Sequence, residues 1–492
     1  MNRSLFFVLA AALGMSPQVQ ASIPSGAAAS SDETAPALSV PPIAEVKAEA
    51  TEAAAIAAQA DVSTTADIAS PEPEATPEPS PTNDDAQAKT VAEVETTPKA
   101  PALPPSDQDS AAPESSALPL SADALAHAAN TAEAVNPFGL KVLSESLALS
   151  PKDNHLVSPL SLATALGLLA EGAAGDTLAL LRAELGLEAE GLAPSDLGSL
   201  GQVLADTAGI ADFRTAQGIW LAVDLTPQAT FIAAGREQFA AEVEAVDFAD
   251  PGTLERLNGW FSERTGGLID PMFARLDDAT RFVLGNALYF KAAWQQPFDP
   301  AQTRPAPFHT PAGTQEVSTL HGNLSGLAYR EENGAQAVRL PFQDGDFELI
   351  VLLPDTGQPL AGLLSPEALP PWLRRGGWEV RSVNLALPKL DLSVGGDASE
   401  ALRKAGLAAL FAKADLSRLA KEPLAVDQVV HKVALKLDEQ GAEAAAATAV
   451  LGVRSAAPMK PAVSLTVDRP FVIAIRHNAT GALVLAGVIQ SP

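Results

Sequence analysis

A segment near the C-terminal end of the chain, residues 432–460, constrains the fold more than any other part of the sequence. Residues 432–438 alternate between apolar and polar side chains, which is the pattern of a half-buried β-strand. Gly441 follows, a residue type that turns readily, and a run of small residues then extends from Ala442 to Val450. The fold must therefore accommodate a strand, a turn and a run of small side chains in direct succession.

The run of small residues has two interpretations, and the sequence leaves both open. Alanine has the highest helix propensity, and Glu443 suits the first turn of a helix. As an extended strand, the run places Glu443 on one face and only small or uncharged side chains on the other. This second face consists of Ala442, Ala444, Ala446, Thr448 and Val450. Such a strand can enter a gap between two other strands without burying a charge.

Residues 439–449 read E-Q-G-A-E-A-A-A-A-T-A, and this segment resembles the hinge and reactive-centre loop of the serpins, the serine protease inhibitor family. The resemblance implies that the loop is presented to a protease and, once cleaved, inserts into the main β-sheet as an added strand. The hinge residues that it implies are Glu439, Gln440, Gly441, Ala442, Glu443, Ala444, Ala445, Ala446, Ala447 and Thr448.

The position of the cleaved bond is inferred from the usual loop length of the family. Counting forward from Glu439 places the specificity residue at Ser455, and Arg454 lies one residue earlier. Arg454–Ser455 resembles the bait of trypsin-directed serpins, and we take it as the reactive bond. Ser455–Ala456 would suit an elastase- or subtilisin-like protease. Counting back from the later D-R-P-F element favours Met459.

Other serpin-like motifs occur in order along the chain. Residues 154–177 contain S-P-x-S and end in G-A-x-G-x-T, and residues 286–298 read N-A-x-Y-F-K-x-x-W-x-x-P-F. The resemblance covers about residues 131–492 and implies an α+β fold with three β-sheets, eight to nine helices and an exposed reactive-centre loop. It also implies a buried "shutter" under the site of insertion and a "breach" where the loop first enters the sheet. The shutter residues would be Ser158, Ser161, Asn286 and His431, and the breach residue would be Trp294.

Apolar periodicity by itself predicts several elements, and a buried strand is predicted from residue 282 onwards. The predicted helices are 136–149, 177–185, 194–207, 227–239 and 251–265, and a further helix is predicted to start at the Ser158–Pro159 pair, a good N-cap, and to run through Leu169. The predicted strands include 215–222, 243–248, 347–354, 471–477 and 482–488.

The N-terminal part of the chain differs in composition from the rest. Residues 1–21 have the basic start, short apolar core and small-residue ending of a signal peptide. Residues 22–130 are predicted to be a disordered Ala/Pro/Glu-rich acidic linker, and residues 131–492 the serpin domain. Within that linker, residues 22–120 contain no aromatic residue, and their 17 acidic and 3 basic side chains contribute −14 of the net charge of −28. We expect an exported protein, extracellular, periplasmic or attached to the cell surface, of the inhibitory, prokaryotic secreted type.

Composition also limits the chemistry of the chain. It contains no cysteine and no G-x-S-x-G, H-E-x-x-H or Gly-rich dinucleotide motif, and its six histidines lack ligand spacing, so we expect no metal, no cofactor and no enzyme activity. Its acidity disfavours nucleic acid as a partner, and Arg182 is the one basic residue in 177–207, which disfavours a heparin-type cofactor. The serpin resemblance implies that the partner is a serine protease, held as a covalent acyl-enzyme by a monomer, and we expect no membrane span. The alternative is a non-inhibitory serpin that acts as a binding or carrier protein.

Overall fold

The computed structural model of the chain describes residues 121–189, 191–207, 211–343, 345–365, 367–442 and 461–492. Within these residues the fold combines helices with mainly antiparallel sheets, so the predicted α+β class is confirmed. A π-helical turn at Arg403–Leu407 connects the short helices Ser399–Leu402 and Ala408–Ala412. The helices are α1 (Ala122–Leu149), α2 (Pro159–Gly172), α3 (Gly175–Glu184), α4 (Ser195–Thr207), α5 (Ala229–Phe239), α6 (Pro251–Arg264), α7 (Leu360–Leu363), α8 (Pro370–Leu373), α9 (Ser399–Leu402) and α10 (Ala408–Ala412).

The strands form two hydrogen-bonded sheets. They are β1 (His155–Val157), β2 (Asp212–Ala222), β3 (Glu242–Val246), β4 (Phe282–Ala293), β5 (Arg304–Thr310), β6 (Gly313–Glu332), β7 (Ala335–Pro341), β8 (Phe347–Pro354), β9 (Glu379–Pro388), β10 (Leu390–Asp397), β11 (Gln428–Leu437), β12 (Gly441–Ala442), β13 (Val463–Thr466), β14 (Phe471–His477) and β15 (Leu483–Ile489).

The first helix starts earlier than the sequence predicted. Its N-cap is Ser121, whose Oγ accepts a hydrogen bond from the backbone N–H of Ala124 at 3.1 Å. Residues 122–130, which we had assigned to the linker, are therefore helical. This part of the helix is rich in alanine, which favours a helix but gives little apolar contrast, so periodicity revealed only the segment after residue 136.

The nine-stranded sheet has the order β1-β15-β14-β8-β7-β6-β9-β13, with β5 paired to β6. Strand β6 is 20 residues long and pairs with β5, β7 and β9. The serpin resemblance implies three sheets. Strand β6 is long enough to belong to two of them, so these two form one continuous nine-stranded sheet here.

The six-stranded sheet has the order β10-β11-β4-β2-β3, with β12 paired to β4. Its central strand β4 is buried on both faces over most of its length, as its apolar run predicted. Strands β4 and β11 are parallel neighbours, while β12 is antiparallel to β4. The boundary between β4 and β11 is where the predicted site residues lie.

Two layers cover the faces of this sheet. Helix α2, which is buried on nearly all sides, lies beneath it, and its start is fixed by the Ser158 N-cap and by proline at the first helical position. Helix α6 and the segment that follows it lie on the other face. Phe261 and Phe273 from that layer pack in one cluster with Val283 of β4 and Val430 of β11. The α6 layer therefore spans the boundary between the two strands.

Candidate functional site

The boundary between β4 and β11 is hydrogen-bonded along its lower part. The parallel register runs from Gln428 opposite Val283 to Ala434 opposite Tyr289. Beyond that point β4 pairs instead with β12, with Gly441 opposite Ala293. The chain that leaves β11 thus turns and starts a new strand at the upper end of this boundary.

A buried hydrogen-bond network joins the four predicted shutter residues. Oγ of Ser161 donates to Oδ1 of Asn286 at 2.7 Å, and the backbone N–H of Ser161 donates to Oγ of Ser158 at 3.1 Å. Nδ1 of His431 lies 2.9 Å from the same Oδ1 of Asn286, and Nε2 of His431 accepts from the backbone N–H of Ser158 at 3.0 Å. The network connects the start of α2 to β4 and to β11, so it spans the boundary from below.

The protonation state of His431 follows from these contacts. Since Nε2 accepts a backbone N–H, the proton of the neutral ring lies on Nδ1, which donates to Asn286. Burial lowers the pKa of His431 to about 4, because the site offers the imidazolium no solvation. Nδ2 of Asn286 is buried without a hydrogen-bond partner in the described part of the chain. The network is therefore neutral and leaves one donor unsatisfied.

Trp294 lies at the upper end of the boundary, at the predicted breach. Its indole Nε1 donates to the carbonyl of Asp438 at 2.9 Å, and its backbone N–H donates to the carbonyl of Gln440 at 2.8 Å. Its ring stacks on Phe342 with centroids 4.8 Å apart and planes 6° apart. Trp294 thus ties the turn after β11 to the edge of β4.

An ion pair that the sequence did not reveal holds the first hinge residue. Nζ of Lys389 lies 2.8 Å from Oε2 of Glu439, and Oγ1 of Thr303 donates to Oε1 of Glu439 at 2.8 Å. Burial raises the pKa of Glu439, but hydrogen bonds from Lys389 and Thr303 outweigh it, so the pKa lies below its usual value. Sequence separations of 50 and 136 residues concealed these partners. Lys389 lies in the P-K-L segment at the end of β9, and this segment is the one local sequence signal that could have drawn attention to it.

Two hinge residues, Gly441 and Ala442, already belong to the sheet. Gly441 has φ +146°, and a Cβ there would lie 2.2 Å from the carbonyl oxygen of Ala292, so a larger residue cannot take this position without a shift. Ala442 is fully buried opposite Ala292. Only a small side chain fits between the strands at this point.

The remaining loop predictions concern residues that the structure does not describe. The hinge residues Glu443, Ala444, Ala445, Ala446, Ala447 and Thr448 lie there, as do Arg454, Ser455, Ala456 and Met459. Their assigned roles stay predictions.

Two observations bear on other kinds of site. In the described residues, no group of three or more His, Cys, Asp or Glu side chains is placed to hold a metal ion. Across the same residues, every helix is too short or too polar to cross a membrane.

Comparisons with known proteins identify the family. The family model described as "Serpin (serine protease inhibitor)" matches residues 133–492. A leukocyte elastase inhibitor from Bos taurus is 32% identical over 382 residues, covering 74% of this chain and 99% of the relative. Serpin-Z2B from Triticum aestivum is 32% identical, covering 71% of this chain and 94% of the relative.

A solved structure supports the same assignment. The crystal structure of Serpin48 from the insect Tenebrio molitor has a TM-score of 0.64 and 31% identity, and the match covers 74% of this chain and 98% of that one. The chain belongs to the serpin family. The relatives named here come from a mammal, a cereal and an insect, so they do not support the expectation of a prokaryotic source.

Proposed function

We propose that the protein inhibits serine proteases by inserting its cleaved reactive-centre loop into the six-stranded sheet. The observation that carries this proposal is the pairing of Gly441 and Ala442 with β4, antiparallel and at the mouth of the β4–β11 boundary. A chain that continues in this direction becomes a new strand between β4 and β11. The first two residues of the insertion are thus in position before any cleavage.

The register of this pair can be extended along β4. Ala442 lies opposite Ala292, so each later residue would lie one step further down. Glu443, the one charge in the small-residue run, would then lie opposite Lys291, where the two charges attract. Ala444, Ala446, Thr448 and Val450 would share the inner face with Ala442. The inner face would then carry only small or uncharged side chains, and the one charge of residues 442–450 would lie on the outer face.

The same register relates the loop to the shutter. Thr448 would lie opposite Asn286, between Asn286 and its present partner His431. Insertion must therefore break the 2.9 Å contact between Asn286 and His431, and the Thr448 hydroxyl would supply a replacement partner. We infer that this network resists the separation of the strands until the loop reaches it.

The register also bears on the reactive bond. Strand β4 has 12 residues, which would pair with residues 441–452 and move the end of the loop by about 40 Å. Arg454 follows two residues after the last pair. A protease bound through its serine to the carbonyl of Arg454 would then be drawn against the far end of the sheet, whereas attachment at Met459 would leave a longer tether. This supports Arg454–Ser455 as the bait.

The chemistry belongs to the target. The protease serine attacks the carbonyl of Arg454, the bond to the nitrogen of Ser455 breaks, and an ester joins the two proteins. Insertion then competes with hydrolysis of that ester by water, so the inhibitor supplies no catalytic residue. The target we propose is trypsin-like, or elastase- or subtilisin-like if Ser455–Ala456 is cut. The N-terminal pattern supports export, and the inhibitor we propose acts as a monomer.

The test is incubation with trypsin and with elastase, followed by denaturing electrophoresis and mass spectrometry of the released peptide. We expect a complex that survives denaturation and a trypsin-released peptide that begins at Ser455. The Arg454→Ala variant should lose the trypsin complex and keep any elastase complex. Clean cleavage by every serine protease tried would contradict the proposal. A melting temperature unchanged by cleavage would favour a binding or carrier serpin.

A further inference from the structure

We propose that Asp438 is a positioning residue that fixes the turn from which the loop enters the sheet. This inference rests on the inhibitory function proposed above. Asp438 comes directly after β11 and four residues before the buried Ala442. Its carboxylate is half-buried, and no Lys or Arg nitrogen lies within 4 Å of it among the ion pairs of the described residues. The contacts of this carboxylate are with the backbone of the hinge.

The side chain of Asp438 organises the turn through its Oδ1 atom. Oδ1 accepts hydrogen bonds from the backbone N–H of Gln440 at 2.8 Å and of Gly441 at 3.3 Å. The backbone N–H of Asp438 donates to the carbonyl of Gly441 at 2.9 Å. These three bonds close residues 438–441 into one compact turn, of the kind that Asp side chains stabilise by accepting from residues further along the chain.

The segment that follows β4 binds this turn through three more hydrogen bonds. The carbonyl of Asp438 accepts from Nε1 of Trp294, and the carbonyl of Gln440 accepts from its backbone N–H. The carbonyl of Glu439 accepts from the backbone N–H of Phe298 at 2.8 Å. The turn is thus held by hydrogen bonds within itself and by hydrogen bonds from the segment after β4. Together they fix the direction in which the chain leaves β11, so that Gly441 lies opposite Ala293.

The role follows from what the turn does during insertion. If Oδ1 is removed, the N–H groups of Gln440 and Gly441 lose their acceptor, and the chain after Leu437 no longer has a fixed direction. Insertion would then start from many hinge conformations, and it would be slower. Attack by the protease occurs more than ten residues away, so its rate should not change. The ester would be hydrolysed more often before the loop is inserted.

The test uses three variants and one control. Asp438→Ala removes the acceptor, Asp438→Asn keeps an oxygen in the same place without the charge, and Asp438→Glu keeps the charge but displaces it. Asp391→Ala removes an exposed carboxylate from the neighbouring strand β10 and serves as the control. Two quantities are measured with the same protease: the number of inhibitor molecules consumed per protease inactivated, and the second-order rate of loop attack.

We expect Asp438→Ala and Asp438→Glu to slow insertion about fivefold, chiefly through loss of the 2.8 Å hydrogen bond from Gln440, and so to raise the excess of the consumption over one molecule by about the same factor. Asp438→Asn and Asp391→Ala should stay within about twofold of the wild type, and the attack rate should be equal for all. If Asp438→Ala consumed no more inhibitor per protease than the wild type, the role of Asp438 would be overturned while the proposed function would stand. The same holds if Asp438→Asn were as defective as Asp438→Ala. If Asp438→Ala fails to fold, the Glu and Asn variants decide. A wild-type protein that traps no protease would overturn the proposed function itself.

Discussion

Nδ1 of His431 on β11 donates to Oδ1 of Asn286 on β4 across 2.9 Å, and the two residues are direct partners in the parallel register. This side-chain bond duplicates, beneath the sheet, the backbone pairing of the same two strands. It depends on a neutral imidazole, because Nε2 must accept the N–H of Ser158. The hydrogen bond is therefore sensitive to protonation of the ring.

We expect the stability of the folded domain to fall as the pH is lowered from about 6.5 to about 4. Burial sets the pKa of His431 at about 4, while the unfolded chain binds the same proton near 6.5. Between these values the unfolded state binds more protons, so protonation favours unfolding, by about 3 kcal/mol once His431 is charged in both states. Urea unfolding of the wild type and of His431→Asn at several pH values measures this, and the variant should have a flatter pH profile.

His477 also makes the folded domain less stable as the pH is lowered. Burial and the neighbouring Arg476 and Arg375 lower its pKa to about 4 as well. His477→Asn should therefore flatten part of the profile. Equal pH dependence in the wild type and in both buried-histidine variants would contradict this account.

Removing the charge of Glu439 should loosen the hinge. The Glu439→Gln variant loses the ion pair with Lys389, and because that lysine is 36% exposed we expect a loss of about 1 kcal/mol. Hydrogen exchange at the amides of Gly441 and Ala442 should become about fivefold faster. In the wild type this stabilisation by the ionised Glu439 is fully present above the ordinary pKa of glutamate. It is lost as the pH falls through the lowered pKa of Glu439. Glu400→Gln, in an exposed pair, is the control.

A side chain at residue 441 should disrupt the β12 pairing. Gly441→Ala places a Cβ 2.2 Å from the carbonyl oxygen of Ala292 at a positive φ, and we expect a cost of about 1–3 kcal/mol, expressed mainly as lost order in the hinge. Gly201→Ala, in helix α4 with open space around it, should be neutral or slightly stabilising. Hydrogen exchange of the two proteins provides the measurement. Unchanged protection at Ala442 in Gly441→Ala would be inconsistent with the observed close approach.

A charge at residue 442 should convert the inhibitor into a substrate. Ala442→Arg would bury an unpaired guanidinium opposite Ala292, so insertion should slow and hydrolysis should prevail. Gel analysis with trypsin should show cleaved inhibitor in place of the complex, and Thr448→Arg should do the same. Gln440→Arg, whose side chain is half-buried in the turn, is the matched control and should still form the complex. Undiminished trapping by Ala442→Arg would contradict the insertion face.

The sequence was informative where a contact lies within one element. The apolar run of β4 predicted a buried strand, and the Ser-Pro pair at residues 158 and 159 predicted the start of α2. The sequence was less informative where a contact joins distant elements. Lys389 and Thr303 reach Glu439 only because the fold brings three separate segments together, and the P-K-L segment marks Lys389 without showing which residue it contacts. The start of α1 was missed because alanine provides propensity without periodicity.

The pairing of Ala442 with Ala292 has a practical consequence. Partners in an antiparallel pair have Cα atoms about 4.5–5.5 Å apart, which is within the range that a disulfide spans. Since the natural chain contains no thiol, cysteines introduced at these two positions would have only each other to react with. Oxidation would fasten the hinge to β4, and because the proposed insertion keeps this pair, the crosslinked molecule should still trap a protease, whereas any mechanism that shifts the pairing would be blocked until a reductant is added.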